Sequence, residues 1–366
     1  MPTLLPPLTQ IPPQIAAVAD YEAFARERVA ESAWAYLTGG AADEITLRAN
    51  REAFDRLRLQ SRALVDFSGG GHTRVTLCGQ DFAYPILLAP VAYQQLAHTD
   101  GERATALGAA AAKAGFIVST HASTTLEDIA RAADGPLWFQ LYVQPDRGIT
   151  RELVQRAEAA GYRALVVTVD APVGGVRNRE QRAQFRLPTG VAAVNTPGQA
   201  VVARGLDDQA LCGGLLAAQP TWRDLEWLQS LTSLPTIVKG VMSPDDARRA
   251  AEQGVAGLVV SNHGGRTLDT QPAAIEALPR IAEAAGDRMT LLLDGGIRRG
   301  TDVLKALALG ASAVLVGRPY IWGLAAAGAV GVAHVLSILR TEFEIAMALT
   351  GRATVAEIDR SVLWPE

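Results

Sequence analysis

Cysteine is nearly absent from this chain, which has only Cys78 and Cys212 among its 366 residues. Two cysteines so far apart cannot form the disulfide framework of a small secreted protein. We therefore expect inert thiols, a reducing compartment and a cytoplasmic location.

The chain also lacks a charge excess and a recognisable leader. Its net charge is −4, from 34 basic and 38 acidic residues, and no basic stripe is interleaved with aromatic residues. These features exclude a typical nucleic-acid surface. Residues Met1–Ile15 are rich in proline and do not resemble a signal peptide. The longest apolar stretch, Ile321–Leu339, contains three glycines and a histidine, so we expect no membrane span.

What the chain has is a regular alternation of short apolar runs and helical segments. The apolar runs are uninterrupted, as in strands that are buried on both faces. Eight such strand–helix units predict an α/β fold, the closed parallel (β/α)8 TIM barrel. The predicted strands are Ile86–Ala89, Phe116–Ser119, Leu137–Tyr142, Ala164–Asp170, Thr236–Lys239, Gly257–Ser261, Leu291–Asp294 and Ala313–Gly317.

Two segments depart from a minimal barrel. Residues 1–80 precede the barrel, assigned to 81–366, and are predicted to form a helical extension that looks helical from Tyr21 to Leu37. Residues of about 171–230 form a long insertion after the fourth strand, which we interpret as a lid because long loops in compact domains are usually functional. Polar residues follow the strands at their carboxyl ends, where barrels of this type assemble active sites: Tyr142, Asp170, Lys239, His263, Asp294 and Arg318.

The most informative motif is Ser-Asn-His-Gly-Gly-Arg-Thr-Leu-Asp at 261–269. His263 can accept a proton near neutral pH, and Arg266 can bind a carboxylate through two parallel hydrogen bonds. Gly264 and Gly265 allow the backbone to approach a flat ligand. A lone histidine at a strand end is often structural, but this combination predicts proton removal from a molecule that carries a carboxylate.

Glycine-rich turns follow the seventh and eighth strands. They contain Asp294-Gly295-Gly296 and Gly317-Arg318, with Arg298 nearby. Either turn alone could be only a turn, but together they predict the phosphate site that barrels form at this position. Lys239 at the end of the fifth strand would be buried and would need an anionic partner. A reduced flavin ring can provide one.

With these motifs, the chain resembles the FMN-dependent α-hydroxy acid oxidase and dehydrogenase family, which includes glycolate oxidase, lactate oxidase and mandelate-oxidising enzymes. The resemblance extends from Tyr21 to about Glu357. It implies FMN as the cofactor, no metal, and six catalytic residues. These are His263 as the base, Asp170 as its orienting carboxylate, Arg266, Arg177 and Tyr36 at the substrate carboxylate, and Tyr142 at the substrate hydroxyl.

The same resemblance implies the residues that contact the flavin. They are Pro90, Val91, Ala92, Ser119, Gln140, Thr168, Lys239, Ser261, Asp294, Gly295, Gly296, Arg298, Gly317 and Arg318.

Some positions differ from glycolate oxidase and bear on the substrate. Tyr93 stands where that enzyme has methionine, His121 where it has tryptophan, and Val176 where it has arginine. Histidine in place of tryptophan opens the pocket, and Tyr93 adds an aromatic surface. The stretch Pro-Val-Ala-Tyr-Gln also resembles a hydroxymandelate oxidase. We therefore expect a medium or aromatic 2-hydroxy acid such as mandelate. The alternative is that Tyr93 and His121 only fill space around a lactate-sized pocket.

The reaction implied is oxidation of an L-2-hydroxy acid to the 2-oxo acid, with O2 reoxidising the flavin to give hydrogen peroxide. Alternatives are a dehydrogenase that uses a quinone or another acceptor, a lactate monooxygenase, and, more remotely, a non-catalytic flavin-binding protein. The segment Gly190–Gln219 lacks a basic amphipathic face, so we expect no membrane attachment. The resemblance also implies a homotetramer or octamer. Hydride and proton-first routes are both compatible with His263.

Overall fold

The computed structural model describes residues 4–196 and 219–365. Eight parallel strands form a closed barrel, in which strands that are neighbours in the sequence pair and the last strand pairs with the first. The predicted TIM barrel is therefore confirmed. An antiparallel hairpin of β1 (Val75–Leu77) and β2 (Gln80–Phe82) precedes it. The barrel strands are β3 (Ile86–Leu88), β4 (Gly115–Ser119), β5 (Leu137–Leu141), β6 (Leu165–Thr168), β7 (Thr236–Val241), β8 (Gly257–Val260), β9 (Thr290–Asp294) and β10 (Ala313–Val316).

The barrel interior is a packed apolar core. Alternate strand residues such as Leu87, Ile117 and Val166 belong to one buried cluster, which also contains Leu77 and Phe82 of the hairpin. The next residues along each strand belong to a second cluster, shared with the helices. This division follows from the two-residue repeat of a strand. Leu77 and Phe82 of the hairpin therefore pack into the same core as the inward-facing strand residues.

Helices alternate with the barrel strands, and three more precede them. The N-terminal helices are α1 (Tyr21–Arg26), α2 (Glu31–Thr38) and α3 (Ile45–Arg56). The others are α4 (Gly101–Ala111), α5 (Leu126–Ala132), α6 (Arg147–Ala159), α7 (Asn178–Arg182), α8 (Trp222–Leu231), α9 (Pro244–Glu252), α10 (Ala274–Ala285), α11 (Gly300–Ala308) and α12 (Arg318–Leu349).

The segment predicted to look helical, Tyr21–Leu37, contains two helices, α1 and α2. The chain leaves the helical conformation between them, where Ala30 has an extended backbone and Val29 is buried. Asp269 then fixes α3, because its carboxylate accepts hydrogen bonds from the backbone N–H groups of Asp43, Ile45 and Thr46 at 2.8–3.3 Å. The last residue of the 261–269 motif thus holds the extension onto the barrel.

The insertion after β6 begins with a loop and α7. Residues 197–218, which include Cys212 and most of the segment considered for membrane attachment, lie outside the described residues. Helix α8 occupies the usual position between β6 and β7, although its residues fall within the predicted insertion.

Helix α12 contains the longest apolar stretch of the chain. By length and composition alone it could cross a membrane, but 67% of its most apolar window is buried in the protein. It is not one straight rod, because Ala327 and Gly328 have non-helical backbone angles. At this kink Gly323 and Gly331 approach so closely that a Cβ on Gly331 would lie 1.9 Å from the Gly323 carbonyl oxygen. These features are those of a core helix.

Candidate active site

A cavity of about 480 Å³ opens at the carboxyl ends of the barrel strands. Its volume is in the range of small-molecule and cofactor sites. Of the 22 residues predicted to form the site, 20 line this cavity. The exceptions are Asp170, which lies behind His263, and Ser261, which lies behind Lys239.

The candidate base is held in a strained conformation. His263 has a φ of 56°, and Gly264 and Gly265 continue with φ values of 61° and 73°. A left-handed conformation is unfavourable for a residue with a Cβ, and such strain is concentrated at functional sites. Ser261 supports the turn, because its Oγ accepts a hydrogen bond of 3.0 Å from the His263 backbone N–H.

Both ring nitrogens of His263 have defined neighbours. Nδ1 lies 2.8 Å from Oδ1 of Asp170, and Nε2 lies 3.4 Å from the hydroxyl oxygen of Tyr142. Asp170 therefore orients the ring with Nε2 available to a ligand, which is the arrangement of a general base with its orienting carboxylate.

The environment keeps Asp170 ionised. Burial alone would raise the pKa of the Asp170 carboxyl, but the charges of His263 and Lys239 and the hydrogen bond to His263 outweigh burial and lower that pKa. Glycine at position 240 makes room for this carboxylate. A Cβ on Gly240 would lie 2.3 Å from Cγ of Asp170, and Gly240 has a φ of 108°.

The predicted carboxylate clamp is assembled from the motif, the extension and the insertion. Arg266 donates hydrogen bonds of 2.7 Å from Nη1 to the carbonyl oxygens of Tyr36 and Gly39, and its guanidinium lies 5.1 Å from the centre of the Tyr36 ring. Arg177, at the start of α7, lines the same cavity. Both arginines contact Glu180, which was not predicted as a site residue.

Aromatic rings form the wall beside the clamp. The ring of His121 lies between those of Tyr93, at 6.0 Å, and Tyr142, at 5.1 Å. Burial lowers the pKa of His121 to about 4, so its ring is neutral at physiological pH. Burial, and then the charge of Asp170, raises the pKa of Tyr142, so its hydroxyl keeps its proton.

A second part of the cavity has the features of a phosphate site. Arg298 and Arg318 both line it, and in the part of the chain that is described neither forms an ion pair with a carboxylate. Arg318 instead donates to the carbonyl oxygens of Thr38, Gly39 and Gly264 at 2.8–3.1 Å. Burial lowers the pKa of Arg298 to about 10, and burial together with neighbouring arginines lowers the pKa of Arg318. Two partly buried cations without an ion-paired carboxylate indicate an anion site.

The backbone beside these arginines fits the same ligand. Gly295 and Gly296 have φ values of 92° and 89°, and a Cβ on Gly296 would lie 2.1 Å from the Asn50 carbonyl oxygen. Only glycine fits this turn. Oδ1 of Asp294 is buried without a hydrogen-bond partner among the described residues, as expected if a ligand hydroxyl binds there. These residues therefore fit the phosphate and sugar chain of FMN.

Polar groups between the two parts of the cavity are suited to a flavin ring. Lys239 Nζ lies 3.0 Å from Oδ2 of Asp294 and 3.1 Å from Oγ of Ser261. Burial would lower the pKa of Lys239, but Asp294 and Asp170 outweigh it and raise that pKa, so the amine stays charged. Gln140 donates to Thr168 at 3.0 Å. Lys239 thus has a protein partner, Asp294, besides any partner that the flavin provides.

The insertion supplies cavity residues that sequence reasoning missed. Phe185 stacks on Tyr36, with ring centres 4.7 Å apart and planes at 18°, and Arg186 and Leu187 line the cavity beside it. The sequence feature that could have indicated these cavity residues is the apolar pair Phe185 and Leu187 in an otherwise polar stretch after α7. No strand end or glycine motif marks these positions.

Comparisons with known proteins agree with this geometry. Residues 25–365 match the model of the FMN-dependent dehydrogenase family. The chain is 47% identical over 359 residues to an L-lactate oxidase of Nostoc sp., covering 94% of this chain and 96% of the relative. It is 45% identical over 360 residues to glycolate oxidase 1 of Zea mays, covering 96% of each.

A crystal structure of mandelate oxidase with (S)-2-phenylpropionate superposes with a TM-score of 0.87 at 41% identity, covering 96% of this chain and 98% of that chain. The family match spans nearly the whole chain. The matched range includes the barrel strands, the glycine turns after β9 and β10, and the His263–Asp170 pair. This chain belongs to the FMN-dependent dehydrogenase family.

Proposed function

We propose that this protein uses FMN to oxidise an L-2-hydroxy acid to the corresponding 2-oxo acid and that O2 is the electron acceptor, giving hydrogen peroxide. The observation that carries the proposal is the placement of His263 Nε2 beside the Tyr142 hydroxyl, in one cavity with the two clamp arginines and with the residues of the predicted phosphate site. One cavity thus combines a base, a carboxylate clamp and a flavin site.

The clamp residues bind and orient the substrate. Arg266 and Arg177 neutralise the substrate carboxylate, and the Tyr36 hydroxyl donates to it. The Tyr142 hydroxyl, which keeps its proton, binds the substrate hydroxyl. These contacts fix the α-carbon relative to the base, and positioning of this kind contributes strongly to the rate.

His263 takes a proton from the substrate at Nε2. Asp170 holds the opposite nitrogen at 2.8 Å and stabilises the imidazolium that forms. His263 and Asp170 are compatible with two routes. In one the α-hydrogen leaves the substrate as hydride, and in the other it leaves as a proton.

The residues present would hold FMN at three places. Arg298, Arg318 and the glycine turn would bind its phosphate, Asp294 its sugar chain, and Lys239 with Gln140 the edge of its ring. When bound, FMN accepts two electrons from the substrate and passes them to the final acceptor.

We propose a medium or aromatic substrate side chain, lodged against Tyr93 and His121. The neutral, half-buried imidazole of His121 leaves more space than an indole would, and the neighbouring rings, Tyr93 stacked and Tyr142 tilted, offer aromatic surfaces. The similarity to mandelate oxidase structures supports this size, whereas the lactate oxidase relatives support lactate. Both substrates belong in the first assay.

Oxygen is proposed as the acceptor because the relatives compared above are named oxidases. A quinone-linked dehydrogenase and a lactate monooxygenase share the same first half-reaction. A cytoplasmic location and a homotetrameric or octameric assembly are also proposals. The first rests on the cysteine content and the second on the family.

The experiment that tests the function is anaerobic mixing of the yellow protein with glycolate, L-lactate, 2-hydroxyoctanoate and (S)-mandelate, followed by admission of air. We expect bleaching of the flavin, then recovery of colour with one peroxide and one 2-oxo acid per turnover. Release of a decarboxylated acid instead would identify a monooxygenase. Bleaching with no recovery in air would identify a dehydrogenase.

His263→Ala is the matched control, because it removes the base and leaves the flavin contacts in place. We expect retained FMN and a reduction rate lower by about 10²- to 10⁴-fold. Reduction of this variant at the wild-type rate would refute the role of His263. Failure of every hydroxy acid to bleach wild-type protein would refute the proposed function itself.

A further inference from the structure

Glu180 is a buried carboxylate beside the clamp whose role the proposed reaction leaves open. It lies on α7, and its side chain is 1% exposed. Carboxylates are almost never buried so completely unless charged or donor groups surround them. Both arginines of the clamp contact this carboxylate.

One oxygen of Glu180 is shared between these arginines. Oε1 lies 3.4 Å from Nη1 of Arg177 and 3.4 Å from Nη2 of Arg266. The arginine side chains are themselves only 10% and 17% exposed, so water screens the three charges weakly. Glu180 therefore offsets part of the positive charge of Arg177 and Arg266.

Other charges around the cavity lie outside this group of three side chains. Lys239 pairs with Asp294 at 3.0 Å, and Asp170 faces His263, which becomes positive when it takes the substrate proton. Arg298 and Arg318 lie in the predicted phosphate site, and Arg186 also lines the cavity. Glu180 is the carboxylate that contacts both arginines of the clamp.

We propose that Glu180 lowers the positive charge that the clamp presents to the substrate, which makes this residue a determinant of selectivity for monocarboxylate 2-hydroxy acids over dicarboxylate ones. This inference rests on the proposed function. Without Glu180 the surroundings of the two arginines would be one unit of charge more positive and would favour a dianion more strongly. Glu180 acts through the arginines and does not touch the substrate, so it is a positioning residue.

A second carboxylate on the same side of the cavity provides a matched control. Glu44 pairs with Arg179 of α7 and accepts a hydrogen bond of 2.9 Å from the Gly40 backbone N–H. The structure gives Glu44 no contact with Arg177 or Arg266. Glu44→Gln therefore removes the same charge and loosens the same helix without changing the clamp directly.

The test measures binding of oxalate, a dianion, and oxamate, its monoanionic isostere, to holoenzyme by calorimetry. We expect Glu180→Gln to shift the ratio of the two dissociation constants toward oxalate by about tenfold, because one unit of charge is uncovered within a few ångströms of the ligand. Glu180→Asp, which keeps the charge, and Glu44→Gln should retain the wild-type ratio within about twofold.

An unchanged ratio in Glu180→Gln, or an equal shift in Glu44→Gln, would overturn the proposal. Glu180→Met is a second neutral variant that adds no N–H donors facing the arginines, and it should shift the ratio in the same direction. If neither neutral variant retains FMN while Glu180→Asp does, Glu180 is a requirement of folding and the proposal is overturned. The proposed function fails separately, when wild-type flavin is not reduced by any 2-hydroxy acid.

Discussion

Replacing Gly240 with alanine should disable the base without removing the flavin. The new Cβ would lie 2.3 Å from Cγ and 2.7 Å from Oδ2 of Asp170. Non-bonded carbon atoms require about 3.5 Å, so the carboxylate or strand β7 must move by about 1 Å. The 2.8 Å contact between Asp170 and Nδ1 of His263 cannot persist through such a movement.

The expected loss can be estimated from that displacement. Misplacing catalytic geometry by about 1 Å can cost about 10²-fold in rate. Alanine at a φ of 108° adds backbone strain of about 1–3 kcal/mol to the free energy of folding. The variant should therefore be less stable than wild type, and its flavin should be reduced about 10²-fold more slowly.

Gly161→Ala separates these two effects. Gly161 has a φ of 88°, and its Cβ would meet no atom within 4 Å, so this variant should lose similar stability but keep the wild-type rate. The assay is anaerobic stopped-flow reduction of the flavin, with the visible spectrum reporting FMN retention and thermal unfolding reporting stability. A Gly240→Ala enzyme that reduces its flavin at the wild-type rate would refute the argument that Gly240 makes room for Asp170.

Four further outcomes follow from the site. Arg318→Ala should weaken FMN binding by about 1.5–3 kcal/mol, measured by equilibrium dialysis; unchanged affinity would contradict a phosphate contact. Arg266→Lys should raise KM and lower kcat for the hydroxy acid, because a point charge cannot replace the planar fork; steady-state kinetics with unchanged KM would count against the clamp. His121→Trp should shift kcat/KM from mandelate toward lactate by about tenfold, or 1.4 kcal/mol, and equal ratios would remove His121 from specificity. Because the pKa of His121 is about 4 in the folded protein and about 6.5 when unfolded, the unfolded state binds more protons between these values. Wild type should therefore lose up to about 3 kcal/mol of stability relative to His121→Trp as the pH falls from 6.5 to 4, and equal chemical-denaturation midpoints across this range would contradict the burial of His121.

Local patterns predicted the barrel because each strand–helix unit carries its own signal. The strands are largely apolar, and the polar site residues lie near their carboxyl ends: Lys239 and Asp294 are still paired in β7 and β9, whereas His263 and Arg318 follow β8 and β10 by three and two positions. Closing the barrel brings these ends together whatever the details of the loops. His263, Lys239, Asp294 and Arg318 could therefore be placed in one site from their positions in the sequence alone.

Local patterns failed where long-range packing decides the conformation. Residues 21–37 look helical in the sequence, but the structure divides them between α1 and α2, and Val29 in the connecting segment is buried. The apolar composition of α12 is that of a membrane span, and only its packing and its kink at Gly328 identify a core helix.

The sequence by itself determined the barrel, the glycine turns and the chemical identity of the base, because these depend on the spacing of residue types within a few positions. Only the tertiary structure decided that Glu180 lies between Arg177 and Arg266, that Phe185 stacks on Tyr36, and that Gly240 accommodates Asp170. The two residues in each of the pairs Phe185–Tyr36, Gly240–Asp170 and Glu180–Arg266 are far apart in the sequence, and no helical or strand periodicity relates them. They meet because the extension, the insertion and the barrel fold over one cavity, which no local preference encodes.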